Sequence, residues 1–460
     1  MFLSVIVSVL LSSQITLQQA IEIALSENAS VKVADMEVQR AQYAKKGSYA
    51  ALFPQIDFAG SFQRTIEKQV MYMDGDGFDI GSMLGAYLAP LYAMHGITMP
   101  TGGGEAEKPA SAGSEGFSVG RWNTFMGATS AQMPLVNAQL WEALKISGQD
   151  VELAVEKARG SRLETVTQVK QAYFGALLAK EAYDVYKSVY DNAEANYKLT
   201  LMKYEAQKAS DLDVARAATS LANAVPGVFD AESSVNVALW RLKAVIGVDL
   251  DADFDVCGTL EEYAGTMGSL VAADEDLSSN TTVRQLALQA EQLAANVKAQ
   301  QYAPLPSLGL AFTYSINAMT NDFNFSEYKW TPYSYVGISL NIPIFAGGKR
   351  ASNIKVAKIQ AAELDVQSVN TEKQLRIQIR QYVSQMTTAM KSHDAAAKAL
   401  DSARKAYDIT AESYAVGSAT FNDLDNAQLA LTQARLTDTQ SVYNYLTSKA
   451  SLEQVLGKEE

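Results

Sequence analysis

The chain has 460 residues, 48% of them apolar, and a formal net charge of −13. This length allows two or three domains or one large repeated domain. The acidic balance argues against a nucleic-acid partner, because phosphate binding requires basic clusters. The two histidines and one cysteine leave little for a metal site or a disulfide framework. No nucleophile–base pair, phosphate loop or catalytic carboxylate pair is recognisable, so neither an enzyme nor a cofactor is expected.

Within the predicted signal segment 1–13, residues 1–11 form an apolar run that is too short to span a bilayer. Small residues follow the run, which is typical of a secretory signal cleaved near Ser13. A buried N-terminal strand is the alternative interpretation. No later stretch contains about 18 uninterrupted apolar residues, so an exported chain without a transmembrane helix is expected.

Two halves of the chain repeat one design. The phrase LSENASV at 25–31 returns as LSSNTTV at 277–283, and matching prolines, tyrosines and glycines follow in the same order. The predicted repeats cover 14–250 and 277–460, with a linker at 251–276. Each opens with a helix for which Asn28 or Asn280 is the expected N-cap. The first half also carries an insertion, whose apolar stretch 81–96 suits either a contact with the bilayer rim or a plug.

Period-two patterning predicts two strands in each half, at about 53–65, 122–134, 305–317 and 332–344. In the third strand Leu310, Phe312 and Tyr314 share one face, and the intervening positions are small or polar. The length of about ten residues is that of a tilted membrane strand. Four aromatic residues near the fourth strand suggest a membrane-interface girdle: Tyr328, Trp330, Tyr333 and Tyr335. A soluble four-stranded sheet with one wet face remains the alternative.

Helical patterns fill the rest of each half. They predict long hairpins at about 138–246 and 348–457, with Pro226–Gly227 interrupting and kinking the first return helix. A coiled-coil seam steps by threes and fours along the second hairpin: Leu375, Ile379, Tyr382, Met386, Met390, His393, Ala397 and Leu400. Each long segment would extend on the order of 100 Å. Hairpins of this length form a rod or the wall of a tube.

Four strands with a lipid-type face cannot stand alone in a membrane, because their edge N–H and C=O groups would be unsatisfied. They are also too few for a closed barrel. Copies of the same chain must therefore pair the edges, and two, three or four copies satisfy the pattern equally well. The polar inner face implies a wet lumen that the helices continue through an aqueous compartment.

At this point the chain resembles the TolC-type outer-membrane efflux proteins. The resemblance covers nearly the whole chain and rests on three motifs: LxxAIxxALxxN near the N-terminus, PIFAGGKR, and YAVGSATFNDLDNAQLAL. It implies a mainly α fold with a membrane β-barrel, in which three chains build a twelve-stranded barrel and their hairpins an α-barrel tunnel. It also implies a location in the outer membrane of a Gram-negative bacterium, extending into the periplasm.

The resemblance further implies a passive channel of a tripartite efflux or type I secretion system. Such a homotrimer contacts outer-membrane lipid, a periplasmic adaptor, and an inner-membrane pump of the RND or ABC type. A periplasmic coiled-coil scaffold without channel activity is the alternative function.

In this family the periplasmic hairpin tips form the gate. By motif, Asp423 falls where an acidic residue projects into the aperture, and Asn426 occupies a second, usually acidic position beside Asp425. The physical alternative is that Asp213 and Asp423 each stabilise the positive end of a helix dipole. Both roles are compatible.

The family's latch between hairpins, by resemblance, pairs Asp213 with Tyr414. The arginine that reinforces this latch is replaced by Ala419. Tyr204 and Gln207 of the first tip correspond to Tyr414 and Gly417 of the second. The closed state is therefore expected to be held differently from the family pattern.

Overall fold

The computed structural model describes residues 14–71, 117–265, 267–268 and 276–458. The predicted signal segment 1–13 and the apolar stretch 81–96 lie outside the described residues. The chain divides into a helical unit and a sheet unit, with boundaries at 49/50, 137/138, 304/305 and 343/344. Each unit therefore draws on both sequence halves, so the compact units are not the two predicted repeats.

The described part of the helical unit contains two long helical hairpins. The first consists of α3 (Ala138–Glu205) and α4 (Asp211–Ile246), and the second of α7 (Lys349–Val416) and α8 (Phe421–Leu456). The shorter helices are α1 (Leu17–Glu27), α2 (Ala29–Ala50), α5 (Leu260–Ala264) and α6 (Thr281–Tyr302). Both hairpins lie where the sequence predicted them. None of the helices in the described ranges combines the length and apolar content that crossing a bilayer requires.

The two asparagines predicted as N-caps make matching contacts. The Asn280 side-chain oxygen accepts a hydrogen bond from the Val283 N–H at 2.9 Å. The Asn28 oxygen accepts one at 2.7 Å from the N–H two residues further on. Their side-chain amides donate to the last turns of the return helices, Asn28 to the Val245 carbonyl at 2.7 Å and Asn280 to the Val455 carbonyl at 2.6 Å. The N-cap prediction is confirmed, and the same side chains tie a helix start to a helix end.

Glycine is required where these helix ends meet. Gly247 follows α4 and Gly457 follows α8, and their φ angles are 85° and 69°. A Cβ on Gly247 would lie 2.8 Å from the Glu27 carbonyl oxygen, and one on Gly457 would collide with the Ser279 carbonyl. Both positive φ and close backbone approach therefore exclude a side chain. This packing explains why the repeated motif around each asparagine is followed, more than 170 residues later in the same half, by a glycine.

The segment predicted as a linker is partly regular structure. Within 251–276, Asp255–Val256 form a strand, β6, which pairs in parallel with β1 (Gln14–Ile15). The buried Tyr173 hydroxyl contacts the Cys257 carbonyl at 2.6 Å and the Ile15 carbonyl at 3.1 Å. A short strand pair and one buried hydroxyl thus satisfy backbone groups that a free linker would leave to water.

The predicted seam of α7 is mostly confirmed. Three of its members are buried: Leu375, Ile379 and Met386. Further along, however, Ala397 is exposed and its neighbour Ala396 is buried. Ala396 lies seven residues after the buried Ala389, so the buried stripe keeps a heptad spacing where the predicted seam had moved on by one residue. His393 is half-buried on this stripe, with its Nδ1 2.8 Å from Asp438 Oδ1 of α8.

The predicted interruption at Pro226 is wrong, since α4 continues through it. A mid-helix proline removes one backbone hydrogen bond but leaves the side-chain packing of the helix in place. Gly227 gives the Tyr186 ring its space, because a Cβ there would lie 3.2 Å from the ring. A bend at this position stays a prediction.

The sheet unit contains four strands in the order β2–β5–β7–β8, all antiparallel. Their bounds are β2 Gln55–Arg64, β5 Asn123–Val136, β7 Ser307–Thr320 and β8 Thr331–Asn341. A separate ladder joins β3 (Gln69–Met71) to β4 (Phe117–Val119), which the sequence did not predict. Neither β2 nor β8 has a second partner within the described part of the chain.

The register places apolar side chains together on one face. One row across the strands joins Ile56, Ala131, Phe312 and Val336, and the next row on the other face joins Asp57, Ser130, Thr313 and Tyr335. The large apolar side chains Phe58 and Ile338 are largely exposed in the chain. The sheet therefore has an apolar face and a polar face, as the alternation predicted.

The aromatic girdle is divided. Tyr328 and Trp330 lie in the connection before β8, with ring centroids 6.4 Å apart. Tyr333 and Tyr335 pair with Ser315 and Thr313, so they lie on the polar face. These two tyrosines face away from Val336 and Ile338, because a strand alternates its side chains strictly. The membrane-interface girdle stays a prediction.

Candidate functional site

The residues predicted for the gate lie at the two hairpin tips. Tyr204 lies in the last turn of α3 and Asp213 in the first turn of α4. The remaining five lie around the turn between α7 and α8: Tyr414, Gly417, Asp423, Asp425 and Asn426. Hereafter the first tip means residues 200–217 and the second tip means residues 410–427.

The two tips share one backbone frame. Gln207 and Gly417 occupy equivalent positions and have φ angles of 57° and 89°. Gln207 is the only non-glycine residue with positive φ among the described residues. The next N–H closes the same bond in each tip, from Lys208 to the Lys203 carbonyl at 2.7 Å and from Ser418 to the Ser413 carbonyl at 2.8 Å. Each helix thus ends with a residue in the left-handed conformation. The N–H of the next residue then donates to the carbonyl five residues before it.

Each return helix begins with a capping box. Ser210 caps α4, and Asp213 accepts from the Ser210 hydroxyl at 2.7 Å and from its N–H at 3.1 Å. Thr420 caps α8, and Asp423 accepts from the Thr420 hydroxyl at 2.6 Å and from its N–H at 3.0 Å. These side-chain and backbone bonds lower the pKa of both carboxyls below the usual range. The helix-terminus interpretation of the two aspartates is confirmed.

The tips differ in the burial of the equivalent tyrosines. Tyr414 is 5% exposed, whereas Tyr204 is 42% exposed. Tyr414 packs edge-on against Phe421 with ring centroids 6.1 Å apart, and Leu424 completes a small buried cluster. In the first tip Asp211 takes the position of Phe421, and its carboxylate beside the Tyr204 hydroxyl raises the pKa of that tyrosine. The second tip therefore supplies most of an apolar core that Ala217 of the first tip completes, and the first tip presents its own tyrosine to water.

Tyr414 also joins the two hairpins. Its hydroxyl lies 2.6 Å from Thr200 Oγ1. Because Thr200 donates its proton to the Asn196 carbonyl at 2.7 Å, Tyr414 is the donor to Thr200. Lys203 donates to the Tyr414 carbonyl and lies 3.9 Å from the centre of the tyrosine ring. One residue of the second hairpin is thus held by three kinds of contact from the first.

Asp213 does not make the contact that the resemblance implied within this chain. Its carboxylate bonds to Ser210, and the Tyr414 hydroxyl bonds to Thr200. The pairing of Asp213 with Tyr414 stays a prediction for an assembled channel. Sequence reasoning missed Thr200 and Lys203, although Lys203 is a basic residue in the last turn of a long helix, where cations favour the carbonyl end.

Asp425 makes a second connection between the hairpins. Ser220 of α4 donates to Asp425 Oδ1 at 3.0 Å. Further from the turn, the Asn192 side chain donates to Gln428 at 3.0 Å. Asn426 is exposed. These bonds are neutral or singly charged, so they can exchange for water without breaking the buried core of the long helices.

Polar groups of different burial meet at the tips. The carboxylates of Asp423 and Asp425 are exposed, whereas the hydroxyl contact between Thr200 and Tyr414 is buried. Burial lowers the pKa of Lys203 from its ordinary value, so the tip contact draws a charged group partly out of water. A small number of polar bonds therefore joins the two hairpins at their tips.

Comparison with known proteins gives the same architecture. Residues 20–248 and 272–458 match the sequence profile of the family described as "Outer membrane efflux protein". The alkaline protease secretion protein AprF of Pseudomonas aeruginosa is 23% identical over 334 residues, which are 72% of this chain and 69% of AprF. The CmeC outer membrane channel of Campylobacter jejuni superposes with a TM-score of 0.70 at 18% identity, over 96% of this chain and 85% of CmeC. The outer membrane protein VceC of Vibrio cholerae superposes with a TM-score of 0.68 at 16% identity, over 96% of each chain.

Proposed function

The chain belongs to the outer membrane efflux protein family, and from this premise we propose that it is a passive outer-membrane channel of an efflux or type I secretion system. Copies of the chain, three by the family resemblance, pair β8 of one subunit with β2 of the next. The polar faces then line a water-filled barrel, and the helical hairpins line a tunnel in the periplasm. No covalent step is required of the protein.

The observation that carries this proposal is the pair of open edges on a two-faced sheet. Strands β2 and β8 flank the sheet, and the exposed side chains of its apolar face include Phe58, Val336 and Ile338. An open edge within hydrocarbon leaves backbone groups unsatisfied at several kcal/mol each. Pairing with copies removes both edges and places the apolar face against lipid. A soluble scaffold protein would leave this apolar face exposed to water.

Fractionation and conductance test the proposal. The full-length chain should occur in the outer-membrane fraction, run on gels as an oligomer before heating and as a monomer after it, and form discrete conducting steps in planar bilayers. A water-soluble, non-conducting protein would favour the periplasmic scaffold. The name of AprF refers to protease secretion, which favours secretion of a protein cargo, whereas the family description favours efflux. Deleting the chain and assaying both exported protein and drug retention distinguishes the two cargo classes.

The hairpin tips are proposed as the periplasmic gate. Repetition of Asp423 about the symmetry axis would bring like carboxylates together, which attracts cations and opposes the pKa-lowering effect of Thr420. Asp425 and Asn426 would lie beside this ring, and the contacts of Tyr414 would hold the hairpins together. The family's arginine is absent at Ala419, and Lys203 supplies a cation to the same turn from the other hairpin.

Block by multivalent cations tests the position of Asp423. Asp423→Asn should weaken block by trivalent cations in single-channel recordings, because each copy loses one aperture charge. Asp401→Asn, on the exposed surface of α7, is the control and should leave block unchanged. Equal block in wild type and Asp423→Asn would remove Asp423 from the aperture.

The proposed partners follow from the same assembly. A periplasmic adaptor would meet the hairpin tips and connect the channel to an inner-membrane pump of the RND or ABC type. Cross-linking from cysteines placed at the exposed positions Asn422 and Asn426 should capture the adaptor in cells, and cysteines on the strands should not. Capture from the strands alone would contradict docking at the tips.

A further inference from the structure

The polar face of the sheet carries one unusual residue, Asp57. It is the third residue of β2 and pairs with Ser130 of β5. The same row continues through Thr313 and Tyr335 to the far edge of the sheet. Apart from Asp57, this row is built from hydroxyl groups.

Asp57 is the only charged side chain on the polar face of the four strands. Among the strand residues given above, the charged ones are Asp57 and Arg64. Arg64 is an odd number of residues away and lies on the opposite face, where its guanidinium stands 5.7 Å from the Phe323 ring centre. No lysine or arginine of the described residues forms an ion pair with Asp57. The Asp57 side chain is exposed, and no opposite charge lies on its face among the described strands.

We infer that Asp57 determines charge selectivity in the barrel part of the pore and favours cationic over anionic permeants. This inference rests on the proposed function, because the polar face becomes a lumen only when copies close the sheet. Each copy then contributes one carboxylate to a ring at the same height. Low-dielectric walls focus the field of such a ring and raise the local concentration of the opposite charge. The apolar and hydroxyl side chains around Asp57 provide no competing charge.

Dissolved salt screens the charge of the Asp57 ring, and the range of that charge shortens as the salt concentration rises. The Debye length is about 30 Å in ~0.01 M salt and about 3 Å in ~1 M salt. A ring charge therefore acts across a barrel lumen in dilute salt and only close to its own surface in concentrated salt. A selectivity set by Asp57 should weaken steeply as salt is added.

Reversal potentials of the full-length chain in planar bilayers provide the test. In a KCl gradient near ~0.01 M, Asp57→Asn should lower the potassium-to-chloride permeability ratio at least about twofold, and Asp57→Glu should retain it. Asp57→Lys should shift the ratio toward chloride. In ~1 M KCl the variants should converge. All measurements are repeated in chains that also carry Asp423→Asn and Asp425→Asn, so that the carboxylates at the hairpin tip do not contribute to the permeability ratio.

Two further variants separate charge from folding. Arg64→Gln removes the charge on the opposite face and should not lower the cation preference. Asp57→Asn combined with Ser130→Asp moves the carboxylate one strand along the same row and should restore the preference. Channels of Asp57→Asn that conduct with an unchanged permeability ratio in dilute salt would overturn the inference and leave the channel function standing. Absence of conductance from wild type would instead overturn the proposed function.

Discussion

The two hairpin tips are built on one backbone frame and differ in what they bury. Both turn through a left-handed residue, and both restart with a capping box whose aspartate is three residues on. In the second tip, Tyr414 and Phe421 form a core that also holds Thr200 and Lys203 of the other hairpin. The first tip has Tyr204 and Asp211 on its surface instead. Local sequence thus sets the conformation of each turn. The buried Tyr414 connects the second tip to the first hairpin, and the exposed Tyr204 makes no equivalent connection among the described residues.

The largest expected effect comes from removing that tyrosine. Tyr414→Ala should destabilise the second tip by about 3 kcal/mol, because a buried aromatic ring and its hydroxyl contact are lost together. Hydrogen–deuterium exchange of peptides covering 196–216 and 406–426 should increase in both hairpins. The matched change Tyr204→Ala should leave the second tip protected. Equal exchange in the two variants would contradict the distinction between buried and exposed tyrosines.

A smaller effect is expected from Lys203. Lys203→Met retains most of the aliphatic stem but loses the charged donor to the Tyr414 carbonyl and the contact with its ring, at a cost of about 1–2 kcal/mol. If the tips are the gate, the open probability in bilayers should rise. Lys208→Met, in the exposed part of the first turn, is the control. A Lys203→Met protein with wild-type exchange and gating would show that the lysine contact has no role in fastening the hairpins.

The turn residues offer a reciprocal swap. A left-handed conformation costs a non-glycine residue about 1–2 kcal/mol, part of which is offset by the greater freedom of glycine in the unfolded chain. Gln207→Gly should therefore stabilise the first tip by about 0.5–1 kcal/mol, and Gly417→Gln should destabilise the second by a similar amount. Thermal unfolding and local exchange measure both. Changes of the same sign would show that the two turns do not share one frame.

The smallest expected effect is the response of the capping boxes to acid. The pKa values of Asp213 and Asp423 lie below the ordinary 3.8, so their stabilisation is complete above that value and is lost as pH falls through the lowered pKa. Tip exchange, corrected for its intrinsic pH dependence, should rise below about pH 4 in both tips. Asp213→Asn and Asp423→Asn should each remove this rise from one tip only. An acid response confined to the second tip would contradict the equivalence of the two caps.

Periodicity and cap chemistry made much of the fold predictable. The strand alternation, the long helices, and the roles of Asn28 and Asn280 depend on neighbours within a few residues, so the sequence contains the relevant information. Capping by Asp213 and Asp423 is local in the same sense. The unbroken helix at Pro226 shows the limit of such reasoning, because α4 continues through a local breaker where Gly227 lies against Tyr186 of another helix.

Long-range contacts made the remainder inaccessible. The contact of Thr200 with Tyr414 joins residues 214 apart in sequence, and that of Lys203 with the same residue spans 211. Neither Thr200 nor Lys203 lies in a sequence pattern that distinguishes it from the neighbouring residues. Which of Ala396 and Ala397 is buried likewise depended on the helices packed against α7.

By itself the sequence determined which segments are strands and helices, where the helices begin, and that one sheet face is apolar, because each of these is decided by side chains a few positions apart. Only the tertiary structure decided that Tyr414 rather than Tyr204 is buried and that Thr200 and Lys203 hold it. Those facts depend on contacts between side chains that are far apart in sequence. Such contacts produce no periodic pattern along the chain from which they could be predicted.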